Sequence, residues 1–243
     1  MTETIFTVIS NGTVSPGIFV MKLSGDTSDI IKPGQFVNVK VDGAFLRRPI
    51  SVCDAEENVL TLVYRVVGDG TGRLSRTRPF DTLNLLTGLG NGYDTSVSGE
   101  RPLLVGGGVG VPPLYMLCKK LISEGKSPSV ILGFNTESGI FLESEFRALG
   151  VPVTVTTADG SYGIKGTAAD AMACADYTYF YTCGPMPMFR AIERVAVTGG
   201  QFSFEERMGC GFGACMGCTC KTKYGDKRIC RDGPILMREE IIW

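Results

Sequence analysis

The chain has 243 residues, of which 44% are hydrophobic, and this length allows one large domain or several smaller ones with buried cores. Its 24 basic and 25 acidic residues nearly balance, so no overall charge would draw it to nucleic acid or to an anionic membrane. It contains no histidine, which excludes Ser–His–Asp triads and Cys–His nucleophiles.

The sequence also predicts a cytoplasmic location. No apolar run approaches the roughly 20 residues of a transmembrane helix. The first residues, MTETIFTVISNG, lack the basic and apolar regions of a signal peptide. In a reducing compartment nine cysteines, an odd number, indicate metal binding or catalysis rather than structural disulfides.

The predicted elements of residues 1–99 are short strands. Runs rich in Val, Ile, Phe and Thr alternate with Gly, Pro, Asn and Asp turns at intervals of about 8–12 residues, which indicates an antiparallel barrel or sandwich. The runs are IFTVISN, IFVMKLSG, QFVNVKV, PISVCDA and VLTLVYRVV. A glycine-rich turn, DGTGRLSRT, then leads into a short polar helix.

The turn FLRRPISV, residues 45–52, allows two interpretations. An arginine pair is most simply an exposed charged turn. Alternatively, the planar fork of Arg48 binds a phosphate and the Ser51 hydroxyl bonds the edge of a planar ring. Gly70 and Thr71, at the start of the predicted helix, would then supply a second phosphate contact.

Residues 100–200 are predicted to form a parallel sheet, because strands alternate with helices. Two glycine turns, LLVGGGVGVPP and TCGPMPM, follow strands, and ligands of such sheets bind at the carboxyl ends of strands. A nucleotide site is one interpretation and a tight packing turn is the other. Val111 replaces the third glycine of the dinucleotide fingerprint, and Asn135 and Thr136 stand where an acidic residue is usual.

Residues 201–243 are rich in cysteine and glycine, and regular structure is predicted to end at Gly200. Cys210, Cys215 and Cys218 have the spacing C-x4-C-x2-C, and Cys230 follows at a distance, as in plant-type [2Fe–2S] proteins. Glycines let a loop wrap a cluster and bring N–H groups to the sulfurs. Four cysteines could also hold zinc, although zinc sites usually show two knuckles, or could form a redox thiol relay. Cys220 falls outside the spacing.

The order of barrel, parallel sheet and cysteine segment resembles modular flavin reductases of the ferredoxin–NADP reductase superfamily. The segments RRPIS, GGGVGVPP and CGPMPMFRAI resemble that superfamily's flavin and nicotinamide motifs. Within it, LRRPISV, VYRVVGDGTGRLS, EERMGCGFGACMGCTC and ICRDGPIL resemble the electron-transfer subunits of bacterial dihydroorotate dehydrogenase B, over nearly the whole chain.

The resemblance implies three cofactors and three regions. The regions are an FAD-binding barrel (1–99), an NAD-binding α/β domain (100–200) and a [2Fe–2S] segment (201–243). The implied FAD contacts are Arg48, Pro49, Ile50, Ser51, Val63, Tyr64, Arg65, Gly70 and Thr71. The implied NAD-side contacts are Gly106, Gly107, Gly108, Gly110, Cys183, Gly184 and Pro185, with Cys183 near the flavin face. The implied cluster ligands are Cys210, Cys215, Cys218 and Cys230.

The resemblance also implies a partner, a catalytic subunit that carries FMN and oxidises dihydroorotate in pyrimidine (UMP) biosynthesis, in a heterotetramer of two plus two. Electrons would pass singly from FMN through the cluster to FAD, and then as a hydride to NAD⁺. The chain itself offers no catalytic residue for the substrate. The alternative is the flavin and iron–sulfur subunit of a ferredoxin–NADP reductase, a sulfide dehydrogenase or a hydrogenase complex, of which the first two typically have aspartate at the position of Cys210.

Overall fold

A computed structural model describes all residues, 1–243. The first part of the chain is a closed antiparallel barrel with the strand order β1-β2-β5-β4-β3-β6. Its strands are β1 (Thr2–Ser15), β2 (Ile18–Ser24), β3 (Phe36–Val39), β4 (Arg48–Glu56), β5 (Val59–Arg65) and β6 (Thr82–Leu89). The helix α1 (Asp69–Leu74) follows β5. The predicted antiparallel barrel is confirmed.

Alternation along each strand separates the barrel interior from its outside. On β5, Leu60, Leu62 and Tyr64 belong to the interior core, whereas Val63 points outward into a different hydrophobic cluster. Such alternation follows from the two-residue period of a strand. The sixth strand, β6, is absent from the prediction, and without it the barrel could not close.

The second part of the chain is a sheet of parallel strands with helices packed on it. The strand order is β10-β9-β8-β7-β11-β12, and each of these pairs is parallel. Its strands are β7 (Pro102–Gly107), β8 (Ser129–Phe134), β9 (Val153–Thr157), β10 (Ile164–Lys165), β11 (Tyr179–Cys183) and β12 (Gly200–Ser203). Its helices are α2 (Pro113–Ser123), α3 (Glu143–Ala148), α4 (Ala168–Ala173) and α5 (Met186–Val195). The predicted parallel-sheet domain is confirmed.

Helix α2 joins the two parts. Leu114, Leu117 and Leu121 lie on one helical face and are completely buried, as their spacing predicts. They share a cluster with Cys53 and Val63 from the outside of the barrel. One buried face therefore fixes the sheet domain against strands β4 and β5.

The cysteine-rich segment is an integral part of the sheet domain, because the strands before and after its cysteines pair with each other in that sheet. Strand β12 extends the sheet past Gly200, where regular structure was predicted to end, because Phe202 is completely buried and packs on Phe180 and Phe189. A hairpin of β13 (Thr219–Thr222) and β14 (Gly225–Arg228) follows. The strand β15 (Ile235–Met237) then pairs antiparallel with β12 and closes that edge of the sheet.

Two further observations complete the fold. Asn91, in the connection between barrel and sheet, holds the start of β15, since its side chain bonds both the N–H and the carbonyl of Ile235 at 3.1 and 2.8 Å. None of the helices has both the length and the apolar character needed to cross a bilayer.

Candidate functional site

The cysteine loop, residues 205–217, has no helix or strand, and its backbone turns around two sulfur atoms. The N–H groups of Ala214 and Cys215 lie 3.2 and 3.4 Å from the Sγ atom of Cys210. The N–H groups of Cys210 and Gly217 lie 3.4 and 3.5 Å from the Sγ atom of Cys215. Cys210 and Cys215 therefore form one pair, held by backbone donors.

Cys218 and Cys230 form a second pair, which the β13–β14 hairpin creates. Cys218 directly precedes β13 and Cys230 follows β14, so the turn of the hairpin brings them back together. The N–H group of Cys230 lies 3.4 Å from the Sγ atom of Cys218, and both residues are almost completely buried. Cys215, by contrast, is exposed. One pair thus faces solvent and the other faces the core.

This arrangement of donors fits a two-iron cluster better than a zinc ion. The four cysteines form two pairs, and backbone N–H groups are directed at the sulfur atoms of Cys210, Cys215 and Cys218. A structural zinc ion takes four ligands around one centre, whereas four cysteines shared by two irons require only two at each iron. The N–H groups aimed at the sulfurs are the donors that tune such clusters. The pairing supports a [2Fe–2S] cluster at Cys210, Cys215, Cys218 and Cys230.

The two pairs have different electrostatic environments. At Cys210 burial opposes ionisation, but hydrogen bonds from the N–H groups of Cys215 and Phe212 outweigh it and lower the pKa to about 6. At Cys230 burial and the neighbouring Cys218 raise the pKa to about 12. Thiolates are the metal-binding form, so Cys230 depends on a cation for its ionisation more than Cys210 does.

The β13–β14 hairpin also holds the cysteine loop in place. The guanidinium group of Arg228 donates to the Gly213 carbonyl at 2.7 Å and pairs with Asp232 at 3.3 Å. Gly213 has a φ of +93°, which favours glycine, and a Cβ atom there would lie 2.8 Å from Arg231. The glycine spacing in the sequence therefore reflects both backbone conformation and crowding.

The predicted phosphate residues of the barrel come together. The guanidinium group of Arg48, on β4, lies against Gly70 at the start of α1, where a Cβ atom would be 2.2 Å from Nε. Arg48 has no carboxylate partner, unlike its neighbour Arg47, which pairs with Glu3 at 2.7 Å. The Arg48 guanidinium donates only to the carbonyls of Leu46 and Arg47, and a guanidinium without a carboxylate partner beside the first turn of a helix suits a phosphate group. These residues therefore fit one end of a dinucleotide.

The Thr71 side chain makes local hydrogen bonds, whereas the sequence predicted a phosphate contact for this residue. Its hydroxyl accepts hydrogen bonds from the N–H groups of Val67 and Gly68 at 2.9 and 3.3 Å and donates to the Gly68 carbonyl at 3.2 Å. Since the side chain is committed to holding the turn before α1, only the Thr71 N–H group can reach a phosphate. Contact between Thr71 and a phosphate stays a prediction in that narrower form.

The segment that resembles a flavin signature lies at the surface of β4. Arg48, Pro49, Ile50 and Ser51 are all half-buried, and they form ladder pairs with β3. Ser51 stands opposite Phe36, a residue of the hydrophobic cluster that also contains Cys218 and Cys230. The candidate flavin strand is thus separated from the cysteine segment by a single strand.

The three predicted flavin contacts on β5 do not share one face. The Tyr64 ring lies in the barrel core, stacked on Phe19, and its hydroxyl donates to the Asn11 side chain at 2.9 Å. Burial raises the pKa of Tyr64 to about 12. Val63 packs in the contact between the two domains, and Arg65 is exposed. Tyr64 can therefore offer a flavin only its backbone, so its predicted contact is limited to that.

The two predicted nicotinamide turns meet at the carboxyl ends of neighbouring strands. Gly106, at the end of β7, is paired with Cys183, at the end of β11. A Cβ atom at Gly110 would lie 2.2 Å from the Cys183 carbonyl oxygen, and one at Gly184 would lie 2.4 Å from Met188. The close approach supports the packing interpretation of these glycines, and the two turns lie at the end of the sheet where ligands of this fold usually bind.

The remaining predicted residues of these turns line the same region. Gly107 packs on Met188 and Pro185, and Gly108 has a φ of +52° with no atom within 4 Å of a Cβ position. Gly108–Gly110 also lies against β5 of the barrel. This turn therefore lies beside β5, the strand that pairs with the candidate flavin strand β4. Contact between these residues and NAD stays a prediction.

Cys183 is a neutral thiol rather than a nucleophile. Burial raises its pKa to about 12, against a lowering hydrogen bond from Ser203. Its ladder partner on the other side is Ser203 of β12. Cys183 therefore lies beside the strand that leads into the cysteine loop. A protonated thiol at this point can pack against a ring without bringing a charge to it.

The ends of β8 and β9 carry exposed acidic side chains and no unpaired arginine, although Lys165 stands opposite Thr157 at the end of β9. Glu137 and Asp159 both lie there and are exposed, and Arg147 is paired with Glu143 at 2.8 Å. A 2′-phosphate is usually bound by an unpaired arginine at this place in the fold. The charge pattern thus favours NAD over NADP.

Two residues that the sequence did not indicate contribute to the site. Arg228 holds the cysteine loop, and Asn38 of β3 donates to the carbonyl of Cys210 at 3.0 Å. The available signal for Asn38 was an amide in the middle of the apolar run QFVNVKV. Such an amide indicates that the side chain has a hydrogen-bond partner, but it does not identify that partner.

Comparison with known proteins adds independent evidence. Residues 205–242 match the family described as "Iron-sulfur cluster binding domain of dihydroorotate dehydrogenase B". The chain is 40% identical to a protein of Geobacillus sp. (strain WCH70) over 100% of this chain and 99% of the relative. It is 41% identical to a protein of Bacillus pumilus (strain SAFR-032) over 99% of this chain and 98% of the relative. Both relatives are named "Dihydroorotate dehydrogenase B (NAD(+)), electron transfer subunit".

One solved structure shares nearly the whole architecture, and another shares most of it. One solved chain, from a study of the "NADH-dependent reduced ferredoxin-NADP oxidoreductase", superposes with a TM-score of 0.87 at 28% identity. The superposition covers 98% of the present chain and 90% of the solved one. A ferredoxin NADP+ reductase of Neisseria gonorrhoeae superposes with a TM-score of 0.68 at 16% identity, over 80% of this chain and 90% of its own. The latter likeness shows the fold alone.

The barrel, the parallel sheet and the joined turns define a reductase of the ferredoxin–NADP reductase type, extended by a cysteine segment. An identity of about 40% to relatives over their full length then identifies the family within this class. The chain belongs to the family of electron transfer subunits of dihydroorotate dehydrogenase B (NAD(+)).

Proposed function

We propose that this chain is the electron-transfer subunit of an NAD-linked dihydroorotate dehydrogenase in pyrimidine biosynthesis. The observation that carries the proposal is the pairing of four cysteines beside a reductase fold in which the turn Gly108–Gly110 lies against β5, the strand that pairs with the candidate flavin strand β4. The overall reaction converts dihydroorotate and NAD⁺ into orotate, NADH and a proton. Dihydroorotate loses two electrons and NAD⁺ gains them.

The chain's own residues would bind and orient the cofactors. Arg48 and the N–H groups of Gly70 and Thr71 would hold the phosphates of FAD, and the surface of β4 from Pro49 to Ser51 would hold its ring. The glycine turns at Gly106–Gly110 and Cys183–Pro185 would hold NAD. When bound, a flavin exchanges electron pairs with nicotinamide and single electrons with an iron–sulfur cluster, which is the chemistry needed to join the two carriers.

The exposed side of the cysteine loop is the face we assign to the partner, an FMN-containing catalytic subunit in a two-plus-two heterotetramer. Cys215 is exposed, and large apolar side chains near it also lie in solvent. Arg47 bonds the carbonyl of Asn38, and Asn38 bonds Cys210, so turn 45–47 and the cysteine loop are neighbours. The exposed apolar residues of these two segments are Phe45, Leu46, Phe212 and Met216.

Oxidation of dihydroorotate itself belongs to that partner. The chain has no histidine, and its Cys183 thiol, with a pKa raised to about 12 by burial, is a poor base near neutral pH. The residues described here position cofactors and do not abstract protons from carbon.

The second candidate is a subunit of a ferredoxin–NADP oxidoreductase complex, which the structural likeness at a TM-score of 0.87 favours. Those relatives typically place aspartate where this chain has Cys210. Here Cys210 completes the exposed pair, and its backbone donors are already directed at sulfur. The four-cysteine set and the 40% identity favour the dihydroorotate enzyme.

The test is Cys215→Ser in chain purified anaerobically with a candidate FMN subunit. Dihydroorotate-dependent reduction of NAD⁺ should be lost, because one iron loses a thiolate, while NADH oxidation by ferricyanide should remain within about twofold, since it needs only flavin and nicotinamide sites. Cys220→Ser is the matched control, because Cys220 lies in the same segment on β13 but outside the two pairs. It should retain both reactions. Equal loss of both reactions in Cys215→Ser, or a colourless wild-type chain, would refute the proposal.

A further inference from the structure

Asn38 is a polar side chain enclosed between the barrel and the cysteine loop. It lies in the middle of β3, is 1% exposed, and its Nδ2 atom donates to the Cys210 carbonyl at 3.0 Å. Since a carbonyl only accepts, the amide nitrogen must face Cys210. The Oδ1 atom is then buried and accepts no hydrogen bond. A buried acceptor without a partner is destabilising, so burial alone does not account for an asparagine here.

Gly211 shows how closely the loop rests on this amide. Its φ is +80°, and a Cβ atom there would lie 2.3 Å from Nδ2 of Asn38 and 3.1 Å from its Cγ. Only glycine combines that backbone conformation with so close an approach. The peptide next to the Cys210 ligand therefore lies flat against the Asn38 side chain.

On its other side Asn38 touches the candidate flavin strand. In the antiparallel ladder Asn38 stands opposite Pro49, and Val39 stands opposite Arg48. Arg47 fixes this part of the barrel, since it donates to the Asn38 carbonyl at 3.3 Å and to the Asn84 carbonyl at 3.2 Å. One residue thus connects a cluster ligand to the strand that we assign to flavin.

We propose that Asn38 is a positioning residue that locks the cysteine loop to the flavin strand and so sets the separation between the cluster and the flavin. The inference rests on the proposed function. Electron tunnelling falls exponentially with distance, so a loop that moved on the barrel would change the rate of transfer without changing the ligands. The Asn38–Gly211 contact prevents that movement.

The first test replaces Asn38 by leucine, which has a similar volume and no donor, in the complex of this chain with the FMN subunit. Three quantities are measured: the ratio of dihydroorotate-coupled to ferricyanide-coupled turnover, the electron paramagnetic resonance spectrum of the reduced cluster, and hydrogen exchange at residues 209–213. We expect the ratio to fall roughly tenfold, as misplacement of reacting groups predicts. We also expect a broadened spectrum and faster exchange.

Asn84→Leu is the matched control. Asn84 lies on the neighbouring strand β6, and its side chain contacts Glu3 rather than the cysteine loop. It should leave all three quantities as in the wild type. The lock is overturned if Asn38→Leu has a wild-type ratio, spectrum and exchange rate, or if Asn84→Leu changes them equally.

A second pair of variants covers the case in which Asn38→Leu does not fold. Gly211→Ala should lower the ratio, because its Cβ atom would overlap the amide. Combining it with Asn38→Ala should lower the ratio no further than the worse of the two single variants, because both substitutions remove the same contact. Effects of the two substitutions that add in the double variant contradict the lock. A wild-type chain without iron or coupled turnover contradicts the proposed function instead, so the two failures are distinguishable.

Discussion

At the scale of single residues, Gly110 differs from the other glycines of the site because another backbone, rather than a side chain, occupies the space next to it. The Cys183 carbonyl oxygen lies 2.2 Å from the position of its absent Cβ atom. A backbone atom cannot swing away as a side chain can. The contact therefore couples the two nicotinamide turns, and a substitution there changes both.

Gly110→Ala should raise the KM for NADH in the ferricyanide reaction by roughly tenfold or more, because the turns must separate. Overpacking of this kind should also lower the free energy of unfolding by about 1–3 kcal/mol. Gly12→Ala is the control, since a Cβ atom at Gly12 has no neighbour within 4 Å. An unchanged KM in Gly110→Ala, measured by steady-state kinetics on FAD-loaded protein, would contradict this account of the turns.

Single residues also show where sequence interpretation reached its limit. The spacing of Cys210, Cys215, Cys218 and Cys230 could be predicted because three of the four ligands are local. The Asn38–Cys210 hydrogen bond joins residues 172 positions apart, and no local pattern indicates such a contact. The same holds for Tyr64, whose inward direction depends on the register of its strand.

At the scale of elements, helix α2 was predictable and strand β6 was not. The leucines of α2 recur with a helical period, which predicted its buried face. Strand β6 also alternates, since Leu83, Leu85 and Leu89 are buried, but leucine favours helix more than strand. Strand β12 is only four residues long and fully buried, so it shows no alternation at all.

The contact between α2 and β4 includes a partly buried ion pair. Lys119 bonds Asp54 at 2.8 Å and also pairs with Glu56. Lys119→Met should lower the free energy of unfolding by about 1–2 kcal/mol, because Asp54 loses its partner where water screens it only in part. The measurement is urea unfolding at low ionic strength.

Lys120→Met is the matched control for that experiment. Lys120 is the next residue on α2, but it is half exposed and pairs with Glu124 only within the helix, at 3.3 Å. Its replacement should change the free energy of unfolding by less than about 0.5 kcal/mol. Equal effects of the two substitutions would mean that the contact between the domains does not depend on this ion pair.

At the scale of the whole molecule, buried thiols lower the free energy of unfolding as the pH becomes alkaline. Burial raises the pKa of Cys118, in the contact between the two domains, from 9.0 to about 12. Below the lower value both folded and unfolded chains keep the proton. Above it the unfolded chain releases the proton while the folded chain retains it, so stability falls as pH rises toward the higher value.

Between about pH 9 and about pH 10 this single thiol should therefore cost the wild type about 1 kcal/mol that Cys118→Ala does not lose. The check is urea unfolding of both proteins across that range. The difference between their free energies of unfolding should narrow as pH rises. Parallel pH profiles would show that the Cys118 thiol is not protected from ionisation in the folded state.

The order of the domains could be predicted from the sequence, but their joining could not. Each part has a distinct local pattern, of alternation, of strand and helix, or of cysteine spacing. The way in which the last part returns to the sheet depends on a three-residue strand, β15, which has too few residues to show a period. Such a strand is recognisable only once its partner β12 is in place.

The pairing of β12 with β15 has a consequence for how the protein matures in the cell. Strand β12 emerges from the ribosome before the cysteines, and β15 emerges after them. Until the final residues are synthesised, the nascent reductase presents an uncovered sheet edge, of the kind that promotes aggregation. Closure of that edge therefore requires the last residues of the chain, which follow all four cluster cysteines, and a chain truncated before β15 would leave the edge open.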